Sequence, residues 1–246
     1  MAGLPSLRQR VAPHTLAEKI DGAVEYETFA ACFASLESVN RASFGYLPTV
    51  KACLRMAGSA PGRRPLRILD VGSGAGGTMR AVAKAFRRRG ISAELTGADL
   101  SPHAARAAGE LDEEDTGSVS IRHVTRNARD FAVSGDAPDI ILCALFTHHL
   151  EDGEVVEFLR FMDGASRLGW FVNDLYRSRF AAVSFGLLAK LTGRHPFVQH
   201  DGPVSFARSF RRGDWEALLA RAGVPGARIF IGAPFRMCVE KVHGRA

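Results

Sequence analysis

A chain of 246 residues with 46% hydrophobic content is long enough to bury one large α/β core with a modest helical cap, and too short for several such cores. Its four cysteines, Cys32, Cys53, Cys143 and Cys238, show no C-x-x-C spacing, which argues against a disulfide framework or a zinc site and for a reduced, cytoplasmic protein. The formal charge of +6 comes in short arginine clusters without interleaved aromatics, so nucleic acid is not an expected partner.

Met1 to Ala12 contain Arg8 and Arg10 but no apolar run, so no export signal is expected. Residues 15–57 carry helical patterns, and a stretch from Pro61 to Pro65 punctuates the entry to the first core strand. Arg67, Ile68 and Leu69 read as a buried parallel strand, followed by a glycine-rich turn and a helix over 78–86. Arg87, Arg88 and Arg89 fall at that helix's C-terminus, where cations complement its dipole. Residues 93–98 form a second strand ending in Asp99, followed by a helix over 103–111. Further strands are expected at 139–146 and 170–174, with a helix over 154–162 between them. A mostly apolar helix over 179–191 follows. It falls short of the roughly twenty residues that cross a bilayer, and must find burial at a pocket, a second copy or a lipid-like ligand. A helix over 214–222 and strands at 228–232 and 237–240 complete an antiparallel edge.

The turn L-D-V-G-S-G-A-G-G, residues 69–77, places Asp70 two residues before glycines that permit positive φ and let a ligand approach bare backbone. Gly72, Gly74 and Gly77 also satisfy the dinucleotide fingerprint, so the glycines alone do not choose a cofactor. A carboxylate beside the loop suits a sulfonium and ammonium better than a pyrophosphate. Asp99, at the tip of the second strand, can accept hydrogen bonds from a ribose or cap the following helix.

Taken together, ILDVGSGAGG, GADLSP, the Arg129, Asp130, Phe131 stretch and the strand DIILCALF resemble the class I S-adenosylmethionine-dependent methyltransferases over about residues 64–175. The resemblance implies a Rossmann-like, doubly wound seven-stranded sheet with an antiparallel C-terminal edge. It implies a helical N-terminal segment over 1–60, a core over 61–246 and a helical lid insertion at about 175–210. It further implies that Asp70, Gly72, Ser73, Gly74 and Gly76 hold the amino acid part of S-adenosylmethionine and that Asp99 takes the ribose. Leu100, Asn127, Asp130 and Leu145 are the remaining cofactor candidates, with Asp130 toward the adenine amino group or simply solvated.

Catalytic candidates sit where strands end. His148 and His149 leave the carboxyl edge of the fourth strand, where open α/β sheets bind ligands, and adjacent residues there point different ways, so at most one is expected at the acceptor. Asp174 ends the fifth strand, and His200 with Asp201 reads as a polarised base or, more plainly, a turn. Asp174 and Asn173 lack a third partner for an acidic metal cluster, so no metal is expected. FTHHLEDGEVVEFLRFM, WFVNDLYRSRFA and QHDGPVSFARSFRRGDW look like bacterial methyltransferases associated with type III polyketide synthases. That closer resemblance implies O-methylation of a phenolic or quinol hydroxyl on a small, lipophilic acceptor, without a metal. By position, one of the two histidines is a candidate base for a phenol, though paired histidines here also accompany other acceptors, and the working form is a monomer or a homodimer. Competing readings are C- or N-methylation, an NAD-dependent oxidoreductase, disfavoured by Asp70 and the lack of a Tyr-x-x-x-Lys pair, and a non-catalytic cofactor-binding protein.

Overall fold

The structure, a computed structural model, describes residues 6–60, 64–112, 117–132, 137–232 and 234–244. Pro61, Gly62 and Arg63 of the punctuating stretch lie outside the described residues. At the centre is β1 (Leu66–Val71), an apolar run buried on both faces and paired in parallel with β2 (Ala93–Asp99) and β4 (Ile140–Ala144). With β3 (Val119–Thr125), β5 (Gly169–Leu175), β6 (Arg228–Gly232) and β7 (Arg236–Val242), the strands lie in the order β3-β2-β1-β4-β5-β7-β6. The first five are parallel, and β7 runs antiparallel to both β5 and β6. The expected seven-stranded, doubly wound sheet with an antiparallel edge is therefore present.

Helices cover both faces, and the period of two along β5 shows how. Trp170 and Val172 point into a core shared with Val155 and Leu159 of α5 (Asp152–Ala165) and Trp215 of α8 (Arg212–Ala222). Phe171, between them, points to the other core, against Met79 and Phe86 of α3 (Gly77–Arg87) and Met56 of α2 (Leu47–Gly58). α1 (Tyr26–Ala42) packs on α4 (Pro102–Gly109), with Phe29 buried beside Ala104 and Ala107. The cysteines are all buried and free.

Between β5 and α8 the chain forms α6 (Arg179–Leu191) and α7 (Pro196–Arg208), the expected helical insertion. Two local expectations fail there. Residues 200–203 are not a turn: they continue α7, which contains Pro203, while Gly202 offers no Cβ and lets the Phe185 ring of α6 sit against the backbone. Nor is α6 buried through its large residues. Ala181, Ala182 and Ala189 face inward, whereas Phe180, Val183, Leu187 and Leu191 are exposed, because close helix packing selects the small side chains. Among the described residues, no helix is long and apolar enough to cross a membrane.

The strand order reverses between β1 and β4. Chain connections leave the two strands in opposite directions, opening a crevice at their carboxyl ends. The glycine loop after β1, the tip of β2 and the loop after β4 meet at this crevice.

Candidate functional site

Gly72 and Gly74 take φ of +67° and +50°, conformations that L side chains rarely adopt. A Cβ on Gly72 would strike the Phe146 ring, and one on Gly74 would strike Phe33. The loop is thus tight enough that only bare backbone fits. Asp99 fixes it from the neighbouring strand, one carboxylate oxygen accepting from Gly74 N at 2.9 Å and the other from Ser101 N at 2.9 Å. The N-cap of α4 is Ser101, whose hydroxyl accepts from His103 N, so Asp99 is left facing the cavity.

Asp70 lies beneath this loop, fully buried, and its Oδ1 has no hydrogen-bond partner. Burial, aided by the Asp99 charge, pushes its carboxyl up to about 7. Asp70 itself does not line the cavity, but a buried carboxyl with one unpartnered oxygen beneath the glycine cradle suits a cationic moiety better than a pyrophosphate.

Of the other expected cofactor residues, Ser73, Leu100, Asn127 and Leu145 line the same cavity. Leu145 holds φ +54° while its N–H donates to Asn173 O, a strained conformation located at the cleft. Gly76 does not line it: at φ +77° it is the N-cap of α3, packed toward His123 and Arg80. Asp130 is also outside, exposed on a 3-10 turn and paired with Arg126 at 3.3 Å, which draws its carboxylate to the surface. Sequence reasoning anticipated helices over the cleft but not which side chains cover it. Phe33 of α1 and Tyr46, just before α2, fill that role against the loop, with the Tyr46 phenol pushed up by burial to about 12.

The second half of the site is a histidine pair on a 3-10 turn, Thr147–His149. His148 is buried, and its Nδ1 lies 2.7 Å from Asp174 Oδ1. Asp174 also accepts from Thr147 Oγ1 at 2.5 Å and His148 N at 3.1 Å. Burial pushes the Asp174 carboxyl up, but the His148 imidazole and these hydrogen bonds outweigh it and hold the group below the usual carboxylate range.

His149 has a carboxylate of its own, with Nδ1 2.9 Å from Asp21 Oδ1. The two rings do not diverge as expected. Their centroids are 4.3 Å apart, and both Nε2 atoms face Glu18, at 3.5 Å from His148 and 3.9 Å from His149.

Glu18 and Asp21 come from the N-terminal strap. The strap is docked on α7 by Asp201, which accepts from Lys19 N and Ile20 N, and by Arg10, which donates to the Arg208 and Leu150 carbonyls. Glu18 is buried, accepts from Ser205 Oγ at 2.8 Å and lies 3.5 Å from the Arg208 guanidinium. Burial outweighs the pull of His149 and Arg208 and raises its carboxyl to about 7. No local signal marks Glu18 in the sequence, because its partners lie about 130 residues and more away. His200 is not part of this cluster. It sits half-exposed on α7, its Nδ1 2.7 Å from Asp201, and Asp201 rather than His200 borders the cavity.

Loop, strap, histidine pair and the lid residues Phe185, Leu188 and Phe206 enclose one cavity of about 1450 Å³. That is larger than the roughly 300–1,000 Å³ of a typical single-ligand pocket, and so leaves space for a cofactor and a second molecule.

Comparison with known proteins agrees with this anatomy. No curated protein matches the chain. Among solved structures it is similar to the plantazolicin methyltransferase BpumL in complex with SAH, at 16% identity over 89% of this chain and 96% of that one, with a TM-score of 0.61. It is also similar to magnesium protoporphyrin IX methyltransferase (ChlM) from Synechocystis PCC 6803 with bound SAM, at 14% identity over 91% of this chain and 99% of that one, with a TM-score of 0.53. At such identities the likeness is one of fold. Residues 68–167, from β1 through the glycine loop and the histidine turn to the end of α5, match the model of the methyltransferase domain family.

Proposed function

We propose that the protein transfers the methyl group of S-adenosylmethionine to a hydroxyl of a small, lipophilic, aromatic acceptor. The observation that carries this reading is the shared cavity, with a glycine cradle and the Asp99 strand tip on one side and a carboxylate-bound histidine pair on the other. The structures of similar fold that were solved with SAM or SAH support the choice of cofactor.

Gly72, Ser73 and Gly74 would cradle the amino acid part of the cofactor above Asp70, and Asp99 would take the ribose hydroxyls with the lone pairs its two backbone amides leave free. Bound there, the cofactor supplies an electrophilic methyl carbon and becomes a neutral thioether on giving it up. The protein's own work is alignment and proton removal. Phe185 and Phe206 give the acceptor side an apolar wall that would limit water around a bound acceptor.

A phenol, with a pKa of about 10, is scarcely ionised at neutral pH and gains from a base. With no ion bound, that base is His148. Asp174 accepts from Nδ1–H and so leaves the Nε2 lone pair directed into the cavity. The proton passes from hydroxyl to Nε2 as the oxygen attacks. The resemblance to methyltransferases associated with type III polyketide synthases points to phenols or quinols as the acceptor class.

The test is incubation with S-adenosylmethionine and a panel of alkylphenols, quinols, amines and carbon acids, read by mass spectrometry. A gain of one methyl on phenols supports the reading. Methylation confined to the amines or carbon acids would remove the hydroxyl acceptor and keep the transfer.

A further inference from the structure

Three groups converge on one point of the cavity wall, and their chemistry is that of metal ligands. His148 Nε2, His149 Nε2 and a carboxylate oxygen of Glu18 lie within 4.8 Å of one another. The separations of 3.5 Å from His148 Nε2 to Glu18 Oε1 and 3.9 Å from His149 Nε2 to Glu18 Oε2 approach the roughly 3.3 Å between ligands of a tetrahedral site with metal bonds near 2.0–2.1 Å. We propose that Glu18, His148 and His149 bind a first-row transition-metal dication, which takes the acceptor oxygen as a further ligand.

Each imidazole is already held as a ligand would be. His148 donates Nδ1–H to Asp174, and His149 Nδ1 lies 2.9 Å from Asp21 Oδ1 and 3.3 Å from the Arg208 guanidinium, an arrangement that turns both Nε2 atoms toward Glu18. A carboxylate behind each coordinating histidine is the common outer partner of metal sites, orienting the ring and raising its basicity. A lone acid-base pair needs one such arrangement. Here there are two, aimed at the same buried carboxylate.

The charge in direct contact with the cluster also suits a cation. Glu18, Asp21 and Asp174 supply three carboxylates, against one guanidinium, Arg208, which lies 2.9 Å from Asp21 and 3.5 Å from Glu18. Two imidazoles and one carboxylate favour zinc, iron(II) or cobalt over magnesium or calcium, which prefer all-oxygen shells.

Ion and proton compete for the same Nε2 lone pair. With the ion in place, the acceptor hydroxyl coordinates it, its pKa falls, and its proton passes to solvent while the metal holds the oxyanion for attack. That role rests on the hydroxyl-acceptor reading above. The binding of the ion does not.

The test is to treat the full-length protein with a chelator, remove the chelator, and titrate with Co²⁺, following visible absorption. The proposal predicts one Co²⁺ per chain with a coordinated d–d spectrum, and affinity at least ~10-fold weaker in Glu18→Gln and His149→Ala. Asp21→Asn, which leaves all three ligands in place, should weaken binding by about 10–100-fold. Circular dichroism and S-adenosylmethionine binding report whether each variant is folded. No Co²⁺ band in the wild type, or unchanged affinity in folded Glu18→Gln and His149→Ala, overturns the site. Phenol methylation that survives in protein showing no Co²⁺ band rejects the metal and keeps the transferase. A Co²⁺ band lost in Glu18→Gln, in protein that methylates no phenol, supports the site and rejects the hydroxyl acceptor.

Discussion

Asp174 Oδ1 and His148 Nδ1 lie 2.7 Å apart at the carboxyl edge of the sheet, both buried, with the aspartate below the usual carboxylate range. The pair orients one imidazole lone pair toward the acceptor side of the cavity. Asp174→Asn removes the charge and can impose the other tautomer, so kcat should fall by about 10²- to 10⁴-fold, the usual worth of a positioned base. S-adenosylmethionine affinity should stay near the wild-type value. Steady-state kinetics with calorimetry separates the two, and unchanged kcat with a folded variant would remove the dyad from the reaction.

Asp99 bonds two backbone amides and faces the cavity, where the proposed cofactor would lie. Asp99→Ala should weaken S-adenosylmethionine binding by roughly 10- to 150-fold, corresponding to about 1.5–3 kcal/mol for hydrogen bonds to a charged group. Calorimetry measures it directly, and unchanged affinity would mean the carboxylate only fixes the loop.

Asp70 sets a pH dependence of stability in the ligand-free protein. Its folded pKa, about 7, lies above its ordinary value of 3.8, so the stability it contributes is fully present below pH 3.8 and is lost as pH rises through 7. Asp70→Asn stays neutral throughout. Its melting temperature should therefore gain on the wild type between pH 4 and pH 8, by several degrees at about 2–4 °C per kcal/mol for a chain of this size. A constant difference across that range would show that the carboxyl is not buried unpaired.

Gly202 lets α6 and α7 touch through Phe185, a lining residue of the cavity. Gly202→Val should cost about 1–3 kcal/mol by overpacking and raise the acceptor KM more than it changes cofactor affinity. Thermal melts and acceptor titration check this, and an unaltered melt would show that the lid helices have room to separate.

The legible parts of this molecule are those whose signal is local. The glycine loop, Asp99 at its strand tip and the apolar runs of β1, β4 and β5 carry their structure in neighbouring residues, and each lies where periodicity and turn chemistry place it. His148 and His149 were legible as residues at the sheet edge, but their convergence was not, because a 3-10 turn brings both rings to one side. Glu18 and Asp21 were invisible because the strap meets the histidines only through tertiary docking on α7. The same docking hid the helical state of 200–203, where Gly202 and Pro203 read locally as a turn. Asp130 takes the solvated of its two readings, because an i,i+4 arginine pairs with it at the surface.

Titration calorimetry of the purified protein with S-adenosylmethionine, S-adenosylhomocysteine and NAD in parallel tests the central claim most directly. Micromolar binding of the first two with none of NAD is the predicted result. Binding of NAD, with no heat from either adenosyl compound, would contradict the assigned function and leave only the fold.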